Sequence, residues 1–190
     1  MAVMLEGELV RLRPLDMSDL ERNLVWFNDQ EITYYVSMRY PVSRGEEEEW
    51  MRAHQKSSFD SVPLAIEKKD GRHIGNLELR GATPEDRCAE LGIVIGDKEC
   101  WDQGYGTDAV RTALRFAFQE MNLNRVWLRT FEFNERAAAC YRRCGFREEG
   151  RQRQHLFKRG RYWDAILMGI LREEFEALEA GGTVAAGGSQ

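Results

Sequence analysis

Hydrophobic and polar positions change period along the chain, and each change predicts an element. Residues 9–12 alternate weakly and stop at Pro14, which predicts a short strand. Ser18 with Glu21 three residues on has the form of a capping box, opening a helix with Leu20, Leu24 and Phe27. Ser43 with Glu46 repeats that form for a helix through Trp50 and His54. Residues 63–68 and 73–80 read as two strands, and Asp70-Gly71 between them is a hairpin signal. Residues 89–95 (AELGIVI) form an apolar run, expected to be a strand buried on both faces. Val110, Ala113, Leu114, Ala117, Phe118 and Met121 then recur at helical spacing, just after Gly104-Tyr105-Gly106-Thr107. Residues 125–131 (RVWLRTF) are the next strand. Asn134 is placed to cap a helix running to Cys144, with Gly145 as its stop. Residues 156–158 and 162–171 close a hairpin around Arg159-Gly160, and a short helix over 172–178 follows.

The order is strand, two helices, three strands, helix, strand, helix, strands. It predicts an α/β (α+β) fold, a mixed sheet with helices on its faces. The chain of 190 residues suits one domain, over residues 1–178, with 179–190 as a flexible tail ending in GGTVAAGGSQ. Four cysteines without a C-x-x-C pair, and only three histidines, argue against structural zinc, so no metal is expected. Cys140 and Cys144 read as small packing residues, and His54, His73 and His155 as surface or hairpin residues. No apolar run approaches the ~20 residues that span a bilayer, and the first ten residues do not resemble a secretory signal. A cytoplasmic protein without membrane contact is the expectation. A net charge of −5 argues against nucleic acid as a partner. The acidic residues Glu46 to Glu49, Asp16, Asp19, Glu21, Asp29 and Glu31 would either attract a cationic amine or form solvated helix faces.

The segment Trp101-Asp102-Gln103-Gly104-Tyr105-Gly106-Thr107 lies where a strand gives way to the clearest helix. The first turn of a helix has amide N–H groups without intrahelical partners, and the helix dipole adds positive potential there. A diphosphate fits such a site, and glycine allows the backbone to come close. A P-loop would need Gly-Lys-Ser/Thr, which is absent, and the dinucleotide fingerprint would have Ala109 as its third small residue but expects an early strand of a parallel sheet.

The strand AELGIVI, then WDQGYGT, a helix, a strand, and NERAAACYRRCGF resembles, in this order, the GCN5-related N-acetyltransferase (GNAT) superfamily over about residues 7 to 175. Within it the chain is similar to the branch of ribosomal-protein N-terminal acetyltransferases and spermidine N-acetyltransferases. Trp101 departs from the Gln/Arg that usually opens the family's phosphate motif. The resemblance implies a mostly antiparallel mixed sheet whose central strands splay apart. It implies acetyl-CoA as co-substrate, with pantetheine against the main chain of Ile93, Val94 and Ile95, and phosphates at Gln103, Gly104, Tyr105, Gly106 and Thr107. Asn134 and Ala137 would complete that site. Tyr141 matches the tyrosine that lies beside the CoA sulfur, and is the candidate acid. A half-buried packing tyrosine is the plainer reading.

Acetyl transfer to an amine needs an uncharged nucleophile, a donor for the oxyanion, and stabilisation of the departing thiolate. Glu90, a carboxylate on an apolar strand, is the candidate base, or else a structural or substrate-binding group. A main-chain N–H near Val94 would serve the oxyanion. Trp26, Glu31, Tyr34 and Tyr35 are candidates for the acceptor pocket, since aromatic faces and a carboxylate suit a cation, and they suit a core as well. The expected reaction is direct acetyl transfer to a small-molecule amine such as a polyamine or amino sugar. A protein N-terminus is the alternative acceptor, and an acyl-CoA sensor without catalysis the alternative class. The branch also leaves a homodimer open.

Overall fold

The computed structural model describes residues 4–54 and 56–186. Their eight strands form one sheet in the order β1-β2-β3-β4-β5-β6-β8-β7. The strands are β1 (Leu5–Glu6), β2 (Val10–Pro14), β3 (Ser61–Lys68), β4 (His73–Arg80), β5 (Cys88–Ile95), β6 (Arg125–Phe131), β7 (Arg147–Lys158) and β8 (Arg161–Leu171). The helices are α1 (Leu20–Phe27), α2 (Gln30–Tyr34), α3 (Arg44–Ala53), α4 (Tyr105–Arg115), α5 (Glu135–Arg143) and α6 (Arg172–Ala186). Every strand pairing is antiparallel except β5 with β6. The mixed, mostly antiparallel sheet is therefore as expected. No helix among the described residues is long and apolar enough to cross a membrane.

The period of α4 explains its seat. Val110, Ala113 and Leu114 on its inner stripe are fully buried, as are Ala117 and Phe118 beyond its end. Burying Val110, Leu114 and Phe118 stabilises the fold by roughly 1.5–3 kcal/mol each. The helix does not stay regular to Met121: residues 116–120 widen into a π-helical turn, closed by Met121 N–H donating to the Phe116 carbonyl at 3.0 Å. Ala117 and Phe118 within that turn are both buried. α4 shares that core with Tyr141 and Cys144 from the α5 segment and Phe175 of α6, whereas Leu20 of α1 and Met51 of α3 pack with Ala65 on the opposite face.

Several local readings need correction. The first capping box is built by Asp16 and Asp19, not by Ser18 and Glu21: Asp16 accepts from Ser18 N–H at 2.9 Å and Asp19 from Asp16 N–H at 3.0 Å. A 3-10 turn over 17–19 thus precedes α1. The Ser43–Glu46 box forms as read. β5 is not buried on both faces; Ala89 and Leu91 are buried, but Ile93, Val94 and Ile95 are half-buried, because the neighbouring strand leaves them. α6 continues past 178 to Ala186, and residues 187–190 of the expected tail lie outside the described residues.

Of the two alternatives for His73, surface or hairpin, the second holds: it opens β4 in the β3–β4 hairpin, paired with Glu67, and it is buried. Its Nδ1 lies 3.0 Å from Asp19 Oδ1, and its Nε2 lies 2.9 Å from both the Gly75 carbonyl and Asn76 Oδ1. Asn76 donates to Asn23 at 2.8 Å, and Asn23 donates to Glu47 at 3.0 Å. Burial raises the pKa of Glu47 above the usual glutamate range, against the Asn23 hydrogen bond that lowers it. A folded value above the unfolded one means that Glu47's contribution is complete at low pH and is lost as the pH rises through that raised value. Glu47→Gln keeps an acceptor for Asn23 and removes the buried charge. It should raise the melting temperature at pH 7, with the gain shrinking as the pH falls toward 4. Thermal denaturation across that range checks it; no gain at neutral pH would contradict it.

Candidate active site

β5 and β6 pair only at Cys88↔Arg125, Ala89↔Val126 and Glu90↔Trp127. Beyond these, β5 stays on β4 as far as Gly75↔Ile95, and β6 stays on β8 as far as Phe131↔Ala165. Each outer neighbour thus pulls its strand away, and a wedge opens with one unpaired strand edge on either side. The wedge is the floor of a cleft of about 480 Å³. Ile93, Val94 and Ile95 line it from one strand, and Arg129, Thr130 and Phe131 from the other.

The N-terminus of α4 lies at one mouth. Gly104 is its cap at φ +87°, a left-handed conformation that glycine adopts without steric cost. Gly106 does not need such freedom; a Cβ built there would sit 3.7 Å from Ile95 Cγ1 and 3.9 Å from Cys140 Sγ, ordinary contact distances. Its lack of a side chain keeps the cleft open. Gly104, Gly106 and Thr107 line the cleft. The side chains of Gln103 and Tyr105 do not: Gln103 turns back to the Glu99 carbonyl, and Tyr105 packs on the core edge. These two residues can offer the cleft only their main chain.

Asp108 fixes this terminus to the sheet. Its carboxylate accepts from the N–H groups of Glu8, Leu9 and Val10 at 3.0, 2.7 and 2.9 Å. Asp108→Asn turns one acceptor into a donor facing these N–H groups. It should lower stability by about 2 kcal/mol. Urea denaturation measures the change, and a shift under about 0.5 kcal/mol, the size of an ordinary surface substitution, would contradict it.

α5 supplies the opposite wall. Asn134 caps it, accepting from Ala137 N–H at 3.2 Å, and both residues line the cleft. The thiols of Cys140 and Cys144 hold α5 to Thr107, with Cys140 Sγ 3.3 Å from Thr107 Oγ1 and Cys144 Sγ 3.6 Å from the Thr107 carbonyl. No cluster of metal-binding side chains occurs among the described residues. Tyr141 lines the cleft at 8% exposure. Burial raises its phenol well above the ordinary tyrosine value, and Cys140 and Cys144 add to the rise. The hydroxyl therefore keeps its proton at any physiological pH.

Trp101, the departure in the phosphate motif, has a structural role. Its indole N–H donates to the Ile95 carbonyl at 2.7 Å. That carbonyl, expected to be free for pantetheine, already has a partner at the end of β5. Arg136, which the sequence reading missed, lies 3.9 Å over the Trp101 ring and 5.0 Å from that of Tyr35. Its position two residues after the Asn134 cap was the available signal.

The structure gathers only one of the four acceptor candidates into the cleft. Tyr35 lines it. Trp26 is a core residue, edge-on to His73 at 4.8 Å. Tyr34 stacks on Phe133 at 4.6 Å under Arg159. Glu31 is paired, with Asp29, to Lys98 at 2.9 Å. The loop after α2 is held by Lys158 at the β7–β8 tip, which donates to the carbonyls of Thr33, Val36 and Met38. Polar side chains of neighbouring strands line the cleft as well: Asn76, Glu78 and Arg80 of β4, Glu90 of β5 and Arg129 of β6, together with Trp50 of α3. Glu90 is not a lone buried carboxylate. Arg80 holds both its oxygens, Nε to Oε2 and the terminal nitrogen to Oε1, each at 3.1 Å.

Comparison with known proteins agrees with this geometry. The chain is 36% identical over 178 residues to YdaF of Bacillus subtilis (strain 168), provisionally named a ribosomal N-acetyltransferase, covering 90% of this chain and 95% of the relative. It is 30% identical over 171 residues to the spermidine N(1)-acetyltransferase of Escherichia coli (strain K12), covering 88% and 89%. The crystal structure of spermidine N-acetyltransferase from Vibrio cholerae in complex with CoA and spermine superposes with a TM-score of 0.83 at 28% identity, covering 90% of this chain and 99% of that one. Residues 10–147 match the acetyltransferase (GNAT) domain, and the chain belongs to that family, the acetyl-CoA-dependent N-acetyltransferases.

Proposed function

We propose that this enzyme transfers acetyl directly from acetyl-CoA to the primary amine of a small molecule, both bound in the cleft at once. The observation that carries this reading is the wedge between β5 and β6, open beyond Glu90 and flanked by the glycine-lined start of α4. The amides around 103–107 and the guanidinium of Arg136 would hold the diphosphate, and the free edge of β5 would hold pantetheine. Acetyl-CoA supplies the thioester carbonyl.

The remaining groups are the chain's own. A main-chain N–H of β5 near Val94 donates to the oxyanion. Tyr141 donates a hydrogen bond to the departing sulfur. Full proton transfer from a phenol raised above its ordinary value of about 10 to a thiolate of about 8.5 runs uphill, so stabilisation of the thiolate precedes its protonation. Two thiols line the cleft, Cys140 against Thr107 and the buried Cys100 four residues before the Gly104 cap; both lie beside the start of α4, at the phosphate end, which supports direct attack over an acyl-enzyme.

Glu90, with both oxygens on Arg80, is better suited to anchor the incoming ammonium than to accept its proton. Glu90→Gln should raise KM for the amine about tenfold and leave the pH dependence of kcat unchanged. Loss of a limb of that profile would make Glu90 the base instead. Thiol release from acetyl-CoA across an amine panel tests the activity itself. Intersecting initial-rate lines are expected; parallel lines would replace the ternary complex with a covalent intermediate, and binding without turnover would favour a sensor.

A further inference from the structure

The acceptor end of the cleft contains a cation without an anion. Arg129 on β6 is half-buried and lines the cleft. Its hydrogen-bonding contact is His155 Nε2, at 3.2 Å, and it forms no ion pair with a described carboxylate. Of the other guanidiniums that line the cleft, Arg143 also forms no ion pair among the described residues, but it is exposed at the end of α5, whereas Arg80 and Arg136 have carboxylates nearby. Arg80 lies between Glu90 at 3.1 Å and Glu78 at 3.5 Å, and Arg136 stacks on Trp101 with Asp102 3.8 Å away.

Direction places Arg129 with the acceptor and not with the phosphates. Val126 and Leu128 of β6 belong to the core under α4. Trp127, Arg129 and Phe131 alternate with them, and so face the other side of the sheet. Glu90 is in register with Trp127, and Arg80 with Glu90, on that same side. The acceptor end thus carries Glu78 and Glu90, both committed to Arg80, and one free guanidinium. The other acidic candidates do not change this balance, because Asp29 and Glu31 are tied to Lys98. A partly desolvated cation is costly until an anion reaches it, and the planar fork of arginine matches a carboxylate or phosphate in two parallel hydrogen bonds. A polyamine offers Arg129 no acceptor and brings a second positive charge toward it.

We propose that the acceptor is an amine that also carries an anionic group, with Arg129 as the residue that binds that group. This rests on the acetyl-transfer reading above and narrows its acceptor. The test compares cadaverine with 5-aminopentanoate, which share the reacting amine and chain length and differ in the far group. An aminoalkyl phosphate of similar length distinguishes phosphate from carboxylate. The wild-type enzyme should use an anionic amine at least about tenfold better in kcat/KM. Arg129→Gln should erase the preference by raising KM for that amine, and Arg129→Lys should restore part of it. A wild-type preference for cadaverine, or a preference that survives Arg129→Gln, overturns the proposal while leaving acetyl transfer intact. No thiol release with any of the three amines, with acetyl-CoA shown to bind by calorimetry, overturns the acetyl-transfer reading and the proposal together.

Discussion

Tyr141→Phe should lower kcat by about a hundredfold and leave acetyl-CoA affinity within about twofold. The residue sits at 8% exposure among apolar neighbours, so removing one oxygen creates no cavity of consequence and exposes no buried partner. Its hydroxyl makes no hydrogen bond among the described residues, which leaves it free to donate to sulfur. The ring remains to pack against Phe146, 6.0 Å away between centroids. The loss should therefore fall on turnover and not on folding or cofactor binding. Single-turnover kinetics beside calorimetry separates these terms. A variant with wild-type kcat removes Tyr141 from the chemistry.

Gly106→Val should weaken acetyl-CoA binding by about a hundredfold or more, with the fold retained. Gly106 is the better probe of the cradle than Gly104, because valine at Gly104 would combine backbone strain at φ +87° with steric exclusion. At Gly106 the first carbon fits between Ile95 and Cys140, and the two methyl groups then occupy the approach to the amides. Losing the diphosphate contacts removes several charge-assisted hydrogen bonds of ~1.5–3 kcal/mol each, so the estimate is conservative. Gly106→Ala should give an intermediate loss. Equal calorimetric affinities for wild type and valine variant would place the phosphates elsewhere.

The parts of the fold legible in the sequence are those written in local period and in caps. The apolar stripe from Val110 to Phe118, the Asn134 cap and the glycine step at 104–106 each depend on residues a few places apart. α2 escaped because five residues, QEITY, are too few to show a period. The acceptor end was largely illegible. Its pairs are cross-strand pairs: Arg80 meets Glu90, and Glu78 lies opposite Gly92, only once the β4–β5 register is set. Trp26 and Glu31 had suitable chemistry and the wrong direction. Trp26 packs inward against His73 and beneath Gly96, where a Cβ would strike its ring, and Glu31 faces Lys98. Trp101 looked like a break in a phosphate motif because its indole bond to Ile95 spans a turn that sequence spacing does not display.

In the proposed complex, main-chain amides at the start of α4 hold the CoA diphosphate while the parted strands β5 and β6 receive pantetheine. A crystal structure of the acetyl-CoA complex measures this directly. Phosphate oxygens are expected within hydrogen-bond distance of amides in the 103–107 segment, with the thioester beside Tyr141. A ligand seated outside the wedge, or phosphates bound away from α4, would contradict this placement.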